Sequence, residues 1–410
     1  MVTPIKADVT IIGGGLAGGV LALALCQKGV RTVVIDRDPP MTQIDPNLDG
    51  RTTSVGYGSQ QIFEKIGIWD AMAPYAEPIW DIRVFEGGSP WTVDYNHADI
   101  GPNPMGYIVE NSAIRLAIQE KVNQEISSQG RSNQENAGDS CLTWIAPAPI
   151  KSAKRLSGHV IVETGCGQII ESALLVGADG RSSATRAESS ITAKTWDYKQ
   201  TALVIHITHE KPHDGTAWEV FLPEGPLAVL PMNPCPKTGN ARSGIVWAKT
   251  KGYDWYKDSD DQLSADLQKQ FPFYGDIKIS SRRWTYPLSA LTVDSIVDHR
   301  LALVGDSAHG VHPIAGQGVN LGWRDADTLA DIVSNAKSIG LDLGSATILA
   351  HYKQARKQDH RLGLWSTDGI NRLFSNNSRV LHFVRNAGFA AVNNCPPLKK
   401  YFMRKAMGIS

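Results

Sequence analysis

The chain has 410 residues, 42% of them hydrophobic, a length that favours two domains over a single core. Its 41 basic and 41 acidic side chains cancel, so no net field recruits nucleic acid, and no nucleic-acid partner is expected. Five scattered cysteines (Cys26, Cys141, Cys166, Cys235, Cys395) form no C-x-x-C, which argues against disulfides or zinc and for a reducing compartment.

Val9 to Leu25 is apolar enough to suggest a signal peptide or a membrane span, but it holds five glycines and is short for a bilayer. The better reading is a buried strand at Asp8–Ile12, a helix over Leu16–Lys28 and a second strand over Thr32–Asp36. Gly13-x-Gly15-x-x-Gly18 joins the first two. In such a loop the first glycine makes the turn, the second lets a pyrophosphate approach, and the third lets helix and strand pack closely. Asp36 ends the second strand eighteen residues past Gly18, where a carboxylate can accept bonds from an adenosine ribose. This motif fits a dinucleotide but does not choose between NAD and FAD.

Further on, Ser127 to Ser140 reads as a mobile polar insertion. A strand over Ala173–Val176 delivers Gly177-Ala178-Asp179-Gly180-Arg181, whose plainest reading is a helix start capped by Ser182 or Ser183, with Arg186 solvated. Thr201–His209, Ala217–Leu222, Leu227–Leu230 and Ser243–Lys249 then read as antiparallel strands of a separate domain. A helix over Asp261–Phe271 interrupts them, and Pro231 to Pro236 reads as a surface connection.

The second glycine motif is the more telling one. The apolar run Leu303-Val304 delivers Gly305-Asp306, and His312-Pro313-Ile314-Ala315-Gly316-Gln317-Gly318 opens a helix beginning near Val319. Two such loops about 290 residues apart imply one large cofactor held at two points, a combination that points to FAD. His309 and His312 spell H-x-x-H, but no third ligand is evident, so no metal is expected. From Gly369 to Ser410 there is no acidic residue, while seven basic ones alternate with aromatic and aliphatic side chains. Such a segment can lie on an anionic membrane or dock an acidic partner; a core-packed helix with a cationic outer face explains it equally well.

Gly-x-Gly-x-x-Gly, Gly-Ala-Asp-Gly and Gly-Asp-x6-Pro, in that order, resemble the single-component flavoprotein hydroxylases related to p-hydroxybenzoate hydroxylase. Finer blocks resemble the ubiquinone-biosynthesis hydroxylases: Asp49-Gly50-Arg51-Thr52-Thr53, Trp196-Asp197-Tyr198-Lys199-Gln200, Glu219-Val220-Phe221, Thr367-Asp368-Gly369 and Ala406-Met407-Gly408. The chain departs at Ser54-Val55-Gly56, where many members carry Ala-Leu-Ser, and in its longer 127–140 insertion.

The resemblance implies an α/β fold: a Rossmann-like FAD-binding domain (1–80, 105–190, 290–350), an inserted, mostly antiparallel β-sheet substrate domain (81–104, 191–289) and a helical C-terminal segment (351–410, basic from 369). It implies that Gly13, Gly15, Gly18, Asp36, Arg51, Arg115, Asp179, Asp306, Gly318, Val319 and Asn320 hold FAD, with Asp306 on the ribityl chain. His312, Pro313, Gly316 and Gln317 would form the catalytic loop. His312 is the nearest candidate for a base, and a structural histidine is the competing reading. The implied reaction is reduction of FAD by NAD(P)H or a protein electron donor, capture of O2 as a C4a-hydroperoxide, and hydroxylation of a polyprenyl-phenol ring. The enzyme would be cytoplasmic, with peripheral contact at the inner face of the membrane, or membership of a quinone-biosynthesis complex, left open. A prenyl-lipid flavin reductase, distinguished by needing no O2, and a non-catalytic flavoprotein subunit are the rival readings.

Overall fold

The computed structural model describes residues 3–44, 49–87, 92–132, 141–236, 238–312, 316–374, 388 and 392–409. A six-stranded sheet runs in the order Val297–Asp298, Leu301–Leu303, Leu174–Gly177, Val9–Ile12, Thr32–Ile35, Leu142–Ile145. All its pairs are parallel except the first, and the middle strands are buried at every residue. Parallel strands covered on both faces need no polar alternation, which is why they read as short apolar runs. The Leu16–Gln27 helix is apolar all round and buried from Gly18 to Cys26, packed against the Asn111–Ser132 and Gln317–Ser338 helices.

A nine-stranded sheet is built around Ala193–His209, which pairs antiparallel with Ala241–Thr250 and Trp284–Val293. Beyond Ala241–Thr250 come Gly225–Met232, Thr216–Leu222, Asp81–Glu86 and Thr92–Asn96, with one parallel pair between Thr216–Leu222 and Asp81–Glu86. One face buries Leu203, Ile205, Val220, Val229 and Ile245 against Leu263 and Leu267 of the Asp260–Gln270 helix, which opens on a Ser259/Gln262 capping box. A three-stranded sheet (Thr52–Gly56, Gly106–Glu110, Ala76–Ile79) packs Ile79 and Ile108 against Ala217 and Met232 on the other face.

Three expectations need correction. Cys26 and Cys141 are joined in a disulfide with Cα atoms 5.3 Å apart, whereas Cys166, Cys235 and Cys395 are not disulfide-bonded. Parallel pairing of Thr32 with Leu142 carries Cys141 to the end of the first helix, a proximity no spacing rule reveals across 115 residues. Pro231 and Met232 lie in a strand, paired with Ser243 and Arg242, not in a surface connection. Proline is tolerated there because the neighbouring Thr216–Leu222 strand last pairs at Val229. Ser127 to Ser132 continue the Asn111 helix, and 133–140 lie outside the described residues. The chain ends in helices Ala346–Phe374 and Pro396–Met407; among the described residues no helix is long and apolar enough to cross a membrane.

Candidate active site

The first loop has the shape its glycines predict. Gly13 turns with φ +98°, and a Cβ there would overlap the Ala178 carbonyl. A Cβ on Gly18 would overlap the carbonyl oxygen of Gly13, so this glycine fixes how closely helix and strand approach. Gly15 differs: nothing lies within 4 Å of its Cβ position, and it faces open space at the helix N-terminus. Asp36 sits one residue past its strand. Its Oδ2 accepts the Gly14 N–H at 2.5 Å and its Oδ1 the Asp38 N–H at 2.9 Å.

The second motif docks on the first. Gly305 (φ +65°) opens a 3-10 turn over Gly305–Ser307, close against Ala17 and Gly322. The helix begins at Gln317, two residues earlier than expected, with Gly316 in the left-handed region (φ 61°) as its N-cap. Gln317, Gly318 and Val319 therefore form the first turn, whose N–H groups have no intrahelical acceptor. Asn320 does not face this space. Its amide is fully buried, taking the Gly56 N–H and Ser59 hydroxyl and donating to the Ser54 and Gly316 carbonyls. It is a positioning residue. Pro313 lies outside the described residues.

Four charged groups from three separate segments act on one another beside the second loop. Asp306 is exposed and lies in the field of Arg51, which bonds Asp49 through Nε and Nη2 at 2.8 and 2.7 Å and lies over Tyr286. Burial opposes the charge on Asp49, but Arg51, with Arg115 behind it, holds the carboxyl below its usual range. Arg115 keeps a buried Nε with no hydrogen-bond partner among the described residues. Asp179, by contrast, is occupied: it accepts the Ser183 and Thr185 hydroxyls and the Thr185 N–H. Ser183 is the cap, as one of the two expected serines. Arg186 is not solvated but buried, donating to the Ser307 and Arg181 carbonyls and bracing the second loop.

His309 and His312 diverge. His312 is fully buried beside Gln200 (3.3 Å), edge-on to Tyr198 at 4.8 Å. Burial pushes its pKa down to about 4, against a weak opposing pull from Asp368, so it is neutral at physiological pH. Asp368 also accepts the Trp196 indole N–H, so the 196–200 and 367–369 blocks meet at this histidine. His309 instead donates from Nε2 to Asp325, as does His360, and the same carboxylate binds the Arg356 guanidinium and the Gly305 N–H. A guanidinium 2.7 Å from that carboxylate makes this an ion-pair network, with the acceptor a metal would need already taken.

Comparison with known proteins decides the family. The FAD binding domain family matches residues 6–360. The ubiquinone hydroxylase UbiL of Rhodospirillum rubrum is 40% identical over 98% of this chain and 90% of its own. The 3-demethoxyubiquinol 3-hydroxylase of Escherichia coli is 30% identical over 98% of each. The chain belongs to the FAD-binding ubiquinone hydroxylases. Their enzyme class, flavin-dependent monooxygenase, and their cofactor, FAD, are those of this chain. Among solved structures, p-nitrophenol 4-monooxygenase PnpA from Pseudomonas putida superposes with a TM-score of 0.77 over 98% of each chain at 17% identity, a likeness of fold.

The residues of this hydroxylase fit FAD on structural grounds: the open approach at Gly15, the unpartnered Arg115 Nε and the helix N-terminus that opens after Gly316 are what an anionic dinucleotide requires. Sequence reasoning passed over Asp49, Ser54, Arg181 and Asp325. Ser54 touches the Cβ position of Gly316, and Arg181 lies over Gly310 while bonding Ser289. Only Asp325 left a signal: an acid on the apolar stripe Leu321, Asp325, Leu329 of a helix.

Proposed function

We propose that this hydroxylase adds oxygen to the aromatic ring of a polyprenyl phenol. The observation that carries the reading is its 40% identity to a ubiquinone hydroxylase across nearly all of both chains. Bound FAD supplies the redox chemistry, drawing electrons from NAD(P)H or a protein donor and the oxygen atom from O2.

The protein's part is to bind and orient. Asp36 accepts bonds from the adenosine ribose, and Gly13, Gly15 and Gly18 admit the pyrophosphate. Arg115 meets phosphate or ribityl oxygens, Asp306 the ribityl hydroxyls, and Arg51, steadied by Asp49, flanks the ring. The N-terminus of the Gln317 helix would supply a positive dipole end to the flavin, which gathers negative charge when reduced. Asp179 serves this site indirectly, by holding the 180–186 segment against Gly13 and Ser307. His312, neutral and walled in by Tyr198 and Gln200, keeps water out; it is a poor base.

The Pro396–Met407 helix offers a membrane contact. Its inner side buries Met403 and Met407, while Leu398, Tyr401 and Phe402 are exposed among Lys400, Arg404 and Lys405. A greasy substrate held in a bilayer calls for such a surface.

The test is mass spectrometry of the quinone lipids from cells lacking the gene. A prenyl phenol one hydroxylation short of the next intermediate is expected, and its structure names the ring carbon. An unchanged lipid profile together with no substrate-dependent oxygen uptake by the purified enzyme overturns the reading.

A further inference from the structure

The two faces of the nine-stranded sheet are unlike. Leu227, Val229, Ile245 and Trp247 are buried against the outer helix, but Ala228, Leu230 and Val246, which alternate with them, keep accessible surface although apolar. That face looks toward the FAD-holding elements. Gly244 lies against Thr52, where a Cβ would come within 3.4 Å of Oγ1, and His206 reaches the Gly50 carbonyl at 2.9 Å. A partly open apolar face is therefore turned toward the cofactor-holding elements.

Strand register puts one carboxyl on it. Glu219 stands opposite Ala228 on one side and Val84 on the other, and Ala228 in turn stands opposite Val246. Deeply enclosed by protein, Glu219 still keeps accessible surface, and its carboxyl makes no hydrogen bond or ion pair with any described residue. A carboxylate enclosed this deeply without a protein partner is costly to ionise and calls for an explanation.

We propose that Glu219 binds the phenol hydroxyl of the substrate and takes its proton, while the apolar wall around it receives the prenyl tail. The inference rests on the prenyl-phenol reading above. In the step, the phenol O–H bond breaks, the proton passes to the carboxylate, and the electron pair stays on the phenol oxygen. A phenolate and a neutral carboxylic acid result, and no oxidant or reductant is consumed. The phenolate enriches the ring for the electrophilic oxygen transfer. Burial pushes the Glu219 carboxyl up to about 8, much nearer to a phenol near pH 10 than an ordinary glutamate at about 4.3. Proton transfer is more effective between groups so matched. The other titratable groups on this face are Glu86 and Tyr95, from the adjoining Asp81–Glu86 and Thr92–Asn96 strands, and farther along the sheet His206, bonded to the Gly50 carbonyl, and Arg242, paired with Glu110; Gly225–Met232 contributes none. Burial lifts Tyr95 to about 12, so it stays neutral where Glu219 titrates.

The test uses FAD-loaded enzyme with 2-farnesylphenol as the probe. In wild type, kcat/KM is expected to rise through an apparent pKa near 8, as the carboxylate becomes able to accept the proton. Glu219→Gln should retain FAD and lose no thermal stability, since an amide is cheaper to bury than an unpaired carboxylate. It should lower kcat/KM at least about 100-fold and abolish the pH limb. Glu219→Asp should recover part of each. A Gln variant that matches wild type in rate and pH profile overturns the assignment while leaving the substrate reading intact. A wild type that hydroxylates no prenyl phenol overturns both. Should the Gln variant lose its FAD, the wild-type pH profile decides: a kcat/KM that shows no rise through about pH 8 overturns the assignment.

Discussion

Asn320 holds the backbone of Gly56 at 2.9 Å across 264 residues of sequence. With three further bonds, to Ser59, Ser54 and Gly316, its amide locks the first strand of the three-stranded sheet to the start of the long helix. Replacing it with leucine leaves four polar groups unpartnered, at about 1–3 kcal/mol for each that water cannot reach. Asn320→Leu is expected to lower unfolding free energy by roughly 2–4 kcal/mol and to weaken FAD binding at least about tenfold. Urea titration and flavin fluorescence read the two effects. A variant that loses affinity without losing stability would mean that Asn320 touches the cofactor directly.

The glycines of the first loop separate packing from binding. Gly18→Ala must push its Cβ into the Gly13 carbonyl, so the apoprotein itself should be destabilised. Gly15→Ala meets nothing within 4 Å and has a φ of −70°, so apoprotein stability should stay within about 0.5 kcal/mol of wild type. Its methyl group nevertheless occupies the pyrophosphate approach, and FAD affinity should fall at least about tenfold. Equal affinity in Gly15→Ala would place the pyrophosphate elsewhere.

Burial of neutral His312 makes stability depend on pH. Its pKa is about 4 in the folded chain and near 6.5 when unfolded. Between these values the unfolded chain binds more protons, so stability is full above pH 6.5 and falls as pH drops toward 4. The 2.5-unit difference corresponds to up to about 3 kcal/mol. His206 and His209, also lowered by burial, add to the same slope. Thermal unfolding between pH 4 and 7 should show it, and His312→Gln should flatten it. An unchanged slope in that variant would mean that the histidine is already charged in the folded protein.

Local rules made the first loop readable. The strand, helix and strand around Gly13–Gly18 fall within a residue of their expected ends because burial on all sides leaves mostly apolar residues there. What was not legible depends on contacts between distant segments. Asn320 reads as a ligand from its place in a glycine-rich motif, yet Gly56 and Ser54 claim its amide. Asp179 reads as a cofactor carboxylate, yet it caps its own turn. The Cys26–Cys141 bond follows from strand order, which no residue pattern encodes. Blocks 196–200 and 367–369 were recognisable as family signatures, but their reason, convergence around His312, appears only when the sheet and the long C-terminal helix are packed together.

The last helix supports a prediction about where the enzyme works. Pro396–Met407 is anchored from within: Met403 and Met407 are buried, and Gln317 donates to the Ala406 carbonyl at 3.1 Å. Its outer side leaves Tyr401 and Phe402 51% and 43% exposed beside Lys400, Arg404 and Lys405, a costly display for a surface that meets only water. Aromatic rings at headgroup depth and about 1 kcal/mol from each basic residue near an anionic surface would suffice for reversible attachment. The protein should therefore float with vesicles rich in phosphatidylglycerol, less so in high salt, and not with purely zwitterionic vesicles. Tyr401→Ser combined with Phe402→Ser should cut recovery severalfold while flavin content stays unchanged, because both rings are exposed and the Gln317 contact is made to the Ala406 backbone. Recovery independent of lipid charge, or unaffected by the double substitution, would leave a protein partner as the occupant of this face.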